Sequence, residues 1–420
     1  MGIIVQKYGG TSVGTAEGRA RLVSKVMEAR ERGSVVVVVS AMGRRPSPYA
    51  TDTLLDLVAN TSRPVSAREL DALISCGETI SSVVIAAALS EAGCDAVSLS
   101  GAQAGILTDD CYGQARITRI DTARILRHLD AGKVVVVAGF QGVNQDGDIT
   151  TLGRGGSDTT AAALGAALAA DVVEIYTDVQ GIMTADPNIV PEARWQDTMT
   201  YTEVVEMANL GAKVVHLQAV EIAMHSRTPM AIRNTFSDSP GTMITDMSGQ
   251  RAAAFSAGRP VTAVTTVGER AQVIAEVSQD SSSMALDVFS SLARLGVSVD
   301  MINVFPDRVA FIVSAKDLAM ADEAVTGLGL AVKTVRGCAK VSIVGEGMRG
   351  MPGVMSRLTK ALAAEGVGIL QTSDSHYSIS CLVREQQMEI AARALHSQFE
   401  LAQPQCSPEK KVILNTEGSR

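Results

Sequence analysis

Aromatic residues make up only 3% of this 420-residue chain, which holds a single tryptophan. Its cores must be filled by Val, Ile, Leu, Ala and Met, the usual material of parallel sheets covered by helices; the apolar share of 46% is ample for that. Positive charge is in deficit, with a formal net charge of −8. No basic excess is available to neutralise nucleic-acid phosphates, so general nucleic-acid binding is excluded, although a local basic site for a small anion is not. Cys-x-x-Cys pairs are lacking. The six cysteines (Cys76, Cys94, Cys111, Cys338, Cys381 and Cys406) read as buried, reduced thiols. The five histidines have no ligand spacing with cysteine or carboxylate partners, which argues against structural zinc. No apolar run approaches the roughly 20 residues of a membrane helix, and the start shows no secretory leader. The expectation is a cytoplasmic protein of two or three domains with no membrane or nucleic-acid partner.

The stretch that organises the rest is Ile3-Ile4-Val5-Gln6-Lys7-Tyr8-Gly9-Gly10-Thr11-Ser12. An apolar strand runs into two glycines and a helical pattern. Without Cβ atoms the backbone can approach an anion closely, and the first helical N–H groups point at it. Lys7 adds a mobile cation at the strand end. The same residues also suit an ordinary strand–turn–helix with a solvated lysine. Thr15 to Arg32 reads as a helix stopped by Gly33, and Val35 to Val39 as a strand buried on both faces. That strand ends in a second small-residue turn, Ser40-Ala41-Met42-Gly43, where open parallel sheets place ligands.

Thr51-Asp52 is read as the cap of a helix after a proline-containing loop from Arg44 to Ala50, and Ser66-Ala67-Arg68-Glu69 as a capping box. Cys76-Gly77-Glu78-Thr79 is expected to interrupt the helical pattern. Glu78, among apolar residues, is either solvated or held by a partner such as a substrate ammonium. Val97 to Leu99, Val134 to Val137, Val172 to Tyr176 and Pro229 to Arg233 read as strands, Met199 to Leu210 and Ala212 to His225 as helices. Gly147 to Leu152 reads as a hairpin arm. Gly153-Arg154-Gly155-Gly156-Ser157-Asp158-Thr159-Thr160, followed by an Ala-rich helix from Ala161 to Ala170, is the densest functional stretch. It is either a loop capped by Ser157 or Asp158, or an anion site in which Arg154 grips a carboxylate.

From Ser237 to Pro260 the composition shifts to Ser, Gly, Asp and Ala, which reads as a boundary. Beyond it the chain repeats itself. Leu292-Ala293-Arg294-Leu295-Gly296-Val297 matches Leu362-Ala363-Ala364-Glu365-Gly366-Val367, and Val299 and Val313 match Ile369 and Val383 in step. Each copy reads as a ferredoxin-like α+β module, and two adjacent copies suit a ligand site between them.

Lys7-Tyr8-Gly9-Gly10-Thr11-Ser12, Ser40-Ala41-Met42-Gly43, Gly77-Glu78, Gly153 to Asp158, Thr177-Asp178 and Thr184-Ala185-Asp186-Pro187 stand in the order found in aspartokinases. The chain resembles that family over nearly its whole length, and the repeats resemble paired ACT domains. The Arg44 to Ala50 loop and Gln371 to His376 are most similar to the diaminopimelate-sensitive members from spore-forming Gram-positive bacteria. The resemblance implies an α/β amino-acid-kinase fold, a mainly parallel sheet sandwiched by helices, followed by two tandem ACT domains. The implied division is 1–245 catalytic, 246–262 linker, 263–336 and 337–405 ACT, and 406–420 tail.

It also implies phosphoryl transfer from ATP, with Mg²⁺, to L-aspartate, with feedback by diaminopimelate, lysine or threonine and a homodimer or higher homo-oligomer through the ACT pair. Lys7, Glu78, Arg154 and Asp158 are the implied catalytic set. Lys7, Gly9, Gly10, Ser12, Thr177, Asp178, Met183, Asp186 and Lys213 would bind ATP. Ser40, Thr51, Glu78, Arg154, Gly155 and Ser157 would hold aspartate. Asp280, Met284, Asp300, Asn303, Gly353, Val354, Thr372 and Ser373 would meet the effector, with Gly353, Asn303 and Thr372 expected at turns. Asp158 would position Mg²⁺ or Lys7.

The chain departs from the family pattern at Gln180, Asn188 and His216-Leu217-Gln218 on the adenosine side, and at Ser282-Ser283, where a Pro-Gly turn is usual. The alternatives are another amino-acid kinase, of glutamate or acetylglutamate type, and a catalytically inactive amino-acid sensor. A dinucleotide-dependent dehydrogenase lacks its glycine fingerprint.

Overall fold

The computed structural model describes residues 2–212, 215–246, 260–277, 281–348 and 351–403. Lys213, Asp280, Met247 and Cys406 lie outside these residues, as do the 406–420 stretch and all of 246–262 except its ends. The chain opens with β1 (Gly2–Tyr8), α1 (Gly10–Gly14), α2 (Ala16–Arg30), β2 (Gly33–Val39), α3 (Thr51–Asp56), α4 (Ala67–Glu91) and β3 (Ala96–Leu99). Then come β4 (Ile106–Thr108), β5 (Ile117–Ile120), α5 (Ala123–Asp130), β6 (Val134–Ala138), β7 (Gln141–Val143), β8 (Ile149–Thr151), α6 (Gly156–Ala167) and β9 (Val172–Thr177). β10 (Thr198–Thr200), α7 (Tyr201–Asn209), α8 (Leu217–Ser226), β11 (Met230–Asn234) and β12 (Thr242–Thr245) complete the first half.

Eight of these strands form one sheet in the order β10-β12-β11-β9-β1-β2-β6-β3. Only β11 and β12 pair antiparallel. The valine run of β2 is buried because the strand is covered on both faces. Val36 and Val38 pack with Ala161, Ala162 and Leu164 of α6, whereas Val35, Val37 and Val39 pack with Leu22 and Val26 of α2 and Ile85 and Leu89 of α4. β12 falls in the stretch whose composition reads as a boundary; pairing with β10 and β11 overrides that composition.

Helix α4 corrects two sequence expectations. It runs unbroken through Cys76-Gly77-Glu78-Thr79, because Gly77 serves close packing and not a turn. A Cβ at Gly77 would stand 2.8 Å from Ala41 Cβ and 2.9 Å from the Tyr49 carbonyl. Once continuous, α4 is long and apolar enough to cross a membrane, contrary to the reading that no such run exists, yet half of that window is buried within the fold. Only half of the expected capping box forms. Ser66 accepts from the Glu69 N–H, but the Glu69 carboxylate bonds Arg68. Thr51 starts α3 without capping it; Ala50 is the N-cap. Cys76 and Cys111 are exposed, against the expectation of buried thiols, while Cys94, Cys338 and Cys381 are buried.

A small sheet, β5-β4-β7-β8, flanks α4, with β7 and β8 as the expected hairpin. Asp71 on α4 fastens it. This buried carboxylate accepts from the Gly113 N–H at 2.9 Å, the Thr151 N–H at 2.8 Å and the Thr151 hydroxyl at 2.7 Å.

The second half comprises β13 (Ala263–Glu276), α9 (Ser281–Arg294), β14 (Asp300–Val304), β15 (Arg308–Ser314), α10 (Leu318–Thr326) and β16 (Ala331–Val344). α11 (Val354–Ala364), β17 (Gln371–Asp374), β18 (Ser378–Arg384) and α12 (Met388–Gln398) follow. The two repeats share one antiparallel sheet, β14-β15-β13-β16-β18-β17. β13 pairs through residues 270–276 with β15 and through 263–267 with residues 340–344 of β16. The position 336/337, where the repeat suggested a division, falls inside β16. Asn303 and Thr372 stand within edge strands β14 and β17, not at turns, because pairing extends through both. Gly353 does occupy a turn, as the left-handed N-cap of α11 at φ 93°.

Replacing Asp71 by Ala should lower unfolding free energy by about 2–4 kcal/mol, since buried donors lose a charged acceptor. Urea unfolding followed by circular dichroism measures this; a loss near zero would mean that Asp71 does not hold the small sheet.

Candidate active site

The four central parallel strands end level. Tyr8 of β1 lies opposite Val39 of β2 and Tyr176 of β9, and Val39 lies opposite Ala138 of β6. The turns that follow therefore crowd one edge, the position at which open α/β sheets bind ligands.

The first glycine turn nests on the second. The Gly43 N–H donates to the Gly10 carbonyl at 3.0 Å, and a Cβ at Gly10 would stand 2.8 Å from the Ala41 carbonyl. Gly9 lies beside the Lys7 ammonium, at 3.6 Å from where its own Cβ would sit. Lys7 in turn pairs with Asp158 at 2.7 Å, and both side chains are largely buried. This pair draws the Gly153–Thr160 loop over the end of β1. Gly139, which ends β6, lets α6 start close by: its Cβ would stand 3.0 Å from Ser157 Oγ. The loop reaches α6 through Gly155 at φ 69°, and neither Ser157 nor Asp158 caps the helix, contrary to the capping alternative. The helix also begins earlier than the Ala-rich run suggested, because Gly155 turns the chain before it. Arg154 is exposed, whereas Ser157 is buried.

Glu78 reaches the same edge from α4. It is 3% exposed, and one carboxylate oxygen accepts from the Ala41 N–H at 3.0 Å. The other oxygen is buried with no partner. Burial pushes this carboxyl up to about 7, outweighing the Ala41 N–H, which pulls it down. A buried carboxylate oxygen without a donor is costly unless a ligand supplies one. Ser40 and Thr51 are half-buried, and the Ser40 N–H is bonded to the Tyr8 carbonyl at 3.1 Å.

On the other flank, Thr177 ends β9 and Asp178 follows it. The Thr177 hydroxyl donates to Asp178 at 3.1 Å, and Asn234 donates to the Asp178 carbonyl at 2.9 Å. Ser12 differs from expectation. Its hydroxyl is buried 2.7 Å from the Thr235 hydroxyl and its N–H bonds the Gly9 carbonyl, so it fastens α1 to the end of β11 and does not present a hydroxyl to a phosphate. Met183 and Asp186 lie on the segment that leaves toward the second sheet. Met183 bridges Trp195, and Asp186 accepts at 2.9 Å from both nitrogens of Asn188. The Thr235 hydroxyl carried no sequence signal of its own, whereas the Ala41 amide stands in the Ser40-Ala41-Met42-Gly43 turn and His216 in the His216-Leu217-Gln218 departure. The His216 ring lies so close to Gly155 that a Cβ there would be 2.1 Å from it, which explains the glycine.

Among known proteins, residues 2–234 match the Amino acid kinase family and residues 333–397 match an ACT domain. Sheet, glycine turns and family match together define a kinase carrying an ACT half. Aspartokinase 1 of Bacillus subtilis is 44% identical over 403 residues, spanning 96% of this chain and 100% of the relative, and the aspartokinase of Geobacillus stearothermophilus is 44% identical over 416 residues. Escherichia coli aspartokinase III, solved in complex with aspartate and ADP, superposes with a TM-score of 0.74 at 25% identity, covering 94% of this chain and 99% of that one. The same enzyme in complex with lysine and aspartate gives 0.75 at 26%. The chain belongs to the aspartokinases and is an aspartate kinase.

Glu78 makes the ligand-free protein less stable at high pH. A carboxyl whose pKa is raised from 4.5 to about 7 on folding holds its proton in the folded state where the unfolded state has released it. Stability therefore falls as pH rises through that window and is constant above it. Relative to wild type, Glu78→Gln should gain little at pH 4.5 and a few kcal/mol at pH 8. Thermal melts at both pH values test this; an equal difference at both would show that Glu78 ionises freely.

Proposed function

We propose that this kinase joins the γ-phosphoryl group of ATP to the side-chain carboxylate of L-aspartate, giving ADP and 4-phospho-L-aspartate, with the roles divided across the two flanks of the sheet edge. The observation that carries the reading is the convergence there of the Lys7–Asp158 pair and the unpartnered Glu78 oxygen. The nucleophilic carboxylate is already ionised at neutral pH, so no general base is needed. The barrier lies in pressing one anion against another. Lys7 and the amides around Gly9 and Gly10 offset charge on the phosphates, Arg154 takes the substrate α-carboxylate in bidentate fashion, and Glu78 takes its ammonium. Ser40, Thr51, Gly155 and Ser157 complete the amino-acid side, and Thr177, Asp178, Met183 and Asp186 the nucleotide side. The glycine turns suit a magnesium nucleotide, with Asp158 as the carboxylate that would hold Mg²⁺, whose charge offsets that of the phosphates.

Residues 1–245 would form the catalytic unit and the remainder two ACT units that bind an amino-acid effector: diaminopimelate, lysine or threonine. The reading for the effector set is mixed. Asp300 pairs with Lys340, and Asn303 accepts from Gln371 at 2.6 Å, so both are engaged within the chain. Gly353, Val354, Thr372, Ser373 and Met284 remain the proposed contacts. Edge strand β14 exposes Ile302 and Val304, which favours pairing of two chains through this half. A cytoplasmic setting suits an ATP-dependent reaction and free thiols.

Lys7→Ala should lower kcat at least about a hundredfold, the scale for losing a positioned transition-state donor; an unchanged kcat in a coupled ADP assay refutes the role. Arg154→Ala should chiefly raise the KM for aspartate, by roughly a hundredfold, the scale of an unpaired charged hydrogen bond. Normal aspartate saturation in that variant would remove Arg154 from the site.

A further inference from the structure

The segment between β9 and β10 belongs to the kinase half in sequence but is packed as part of the second ACT module. Ala185 and Val190 are buried in one core with Val341, Ile343, Leu358, Leu395 and Phe399. One backbone bond and one side-chain bond hold it there. The Val264 N–H donates to the Thr184 carbonyl at 2.7 Å, and Arg393 Nε donates to the Ile189 carbonyl at 2.7 Å.

At the centre of this contact is one polar pair. Thr184 Oγ1 lies 2.9 Å from His396 Nε2 of α12, and the two residues are 1% and 2% exposed. The same hydroxyl accepts from the Arg194 N–H at 3.1 Å, while the Thr184 N–H bonds the Arg194 carbonyl at 2.8 Å. Thr184 thus closes the neck of the loop and is itself anchored by a histidine 212 residues away. Burial pushes the His396 imidazole below its ordinary value, which keeps the ring neutral. A neutral imidazole and a hydroxyl form a matched pair: deleting Thr184 takes the partner from His396 Nε2 and the acceptor from the Arg194 N–H, whereas deleting His396 leaves the hydroxyl with the Arg194 N–H alone.

We propose that His396 is a positioning residue for the phosphoryl-transfer site: acting through Thr184, it sets where the loop bearing Met183 and Asp186 presents itself to the nucleotide. This rests on the reading above that Met183 and Asp186 line the nucleotide side. Thr184 stands between them in sequence, so a shift of its anchor displaces both. The arrangement gives the ACT half a direct hold on the nucleotide side. Small misplacements of a binding loop are expensive in rate or affinity.

The test uses the full-length enzyme and separate KM values for ATP and aspartate. His396→Leu and Thr184→Val should each raise the KM for ATP about tenfold, the scale of one lost buried hydrogen bond, with the KM for aspartate within about twofold of wild type on the same scale. His396→Gln, which keeps a donor and an acceptor, and Thr184→Ser, which keeps the hydroxyl, should restore most of the loss. The double variant His396→Leu/Thr184→Val should be no worse than the poorer single one. Equal changes in both KM values, or full additivity, overturn the proposal and leave a merely structural role. Thr184→Val, nearly isosteric, decides the matter should His396→Leu fail to fold. Asp186→Ala and Met183→Ala separate the two readings. If neither alters the KM for ATP, the nucleotide-side assignment fails; if they raise it and the His396 and Thr184 variants do not, only the present inference fails.

Discussion

The site exists because four parallel strands stop at one level. Tyr8, Val39, Ala138 and Tyr176 are held in register by backbone pairing. Each strand is then followed by small residues that let neighbouring turns touch. Every chemical group in the site inherits its position from that register. Lys7 is the penultimate residue of β1, the Ala41 amide stands in the turn after β2, and Gly139 admits Ser157 after β6. A one-residue slip in β1 would carry Lys7 to the face where Gln6 and Tyr8 lie. On that face the stacked Tyr8 and Tyr176 rings and the buried Glu174, bonded to Gln6 at 2.8 Å and facing Arg32 and Arg233, fix β1 against β9. The opposite face of the same two strands packs Val5, Val173 and Ile175 into the core and carries Lys7 at the end of β1.

Charge explains why the edge is built from unlike parts. A kinase whose acceptor is a carboxylate must gather cations and amides without binding its substrates as a mere polyanion trap. Pairing Lys7 with Asp158 keeps the ammonium in place and limits its hydration. Glu78 is the reverse case. Its second oxygen is buried without a partner on a helix that packs Gly77 tightly under Ala41. A buried carboxylate of this kind makes the ligand-free protein less stable, a common compromise at functional sites.

The sequence makes some of this legible and hides the rest for physical reasons. Strands such as Val35 to Val39 and Val134 to Val137 are plain, because a β-branched run covered on both faces has few other uses. The glycine turns at Gly9-Gly10 and Gly153 to Gly156 are plain for the same local reason. Gly77 misleads: a glycine inside an apolar helix is indistinguishable from a helix stop until Ala41 and Tyr49 are known to press on it. Ser12 misleads in the opposite sense, since a hydroxyl beside a glycine turn suggests a ligand contact, while Thr235 takes it. Long-range pairs such as Asp71 with Thr151 leave no periodic trace. Nor does the sharing of one sheet by two repeats, because the pairing of residues 263–267 with 340–344 joins segments far apart in the chain.

That shared sheet bears on how the halves communicate. β13 and β16 run through both modules, with register shifts between Val267 and Gln272, so turning one module against the other would break ladder bonds on either side of that irregularity. Gln371 adds a tie between the outermost strands by donating to Asn303 and accepting from Gln272 at 2.9 Å. An amino acid bound anywhere on this unit therefore acts on a nearly rigid body. Rigid bodies transmit displacement only where they touch their neighbours, and among the described residues the contacts with the kinase half are both apolar, with Ala263 and Val344 packed into the kinase core, and polar. Glu203 of α7 accepts from the Thr262 hydroxyl at 3.0 Å, Glu206 accepts from Ser375 at 3.0 Å, and the β9–β10 segment is sunk in the second core. α7 and the β9–β10 segment lie on the β11–β12 side of the sheet, away from α4 and Glu78. The geometry favours control exerted on nucleotide presentation, with the amino-acid pocket left to its own strand ends.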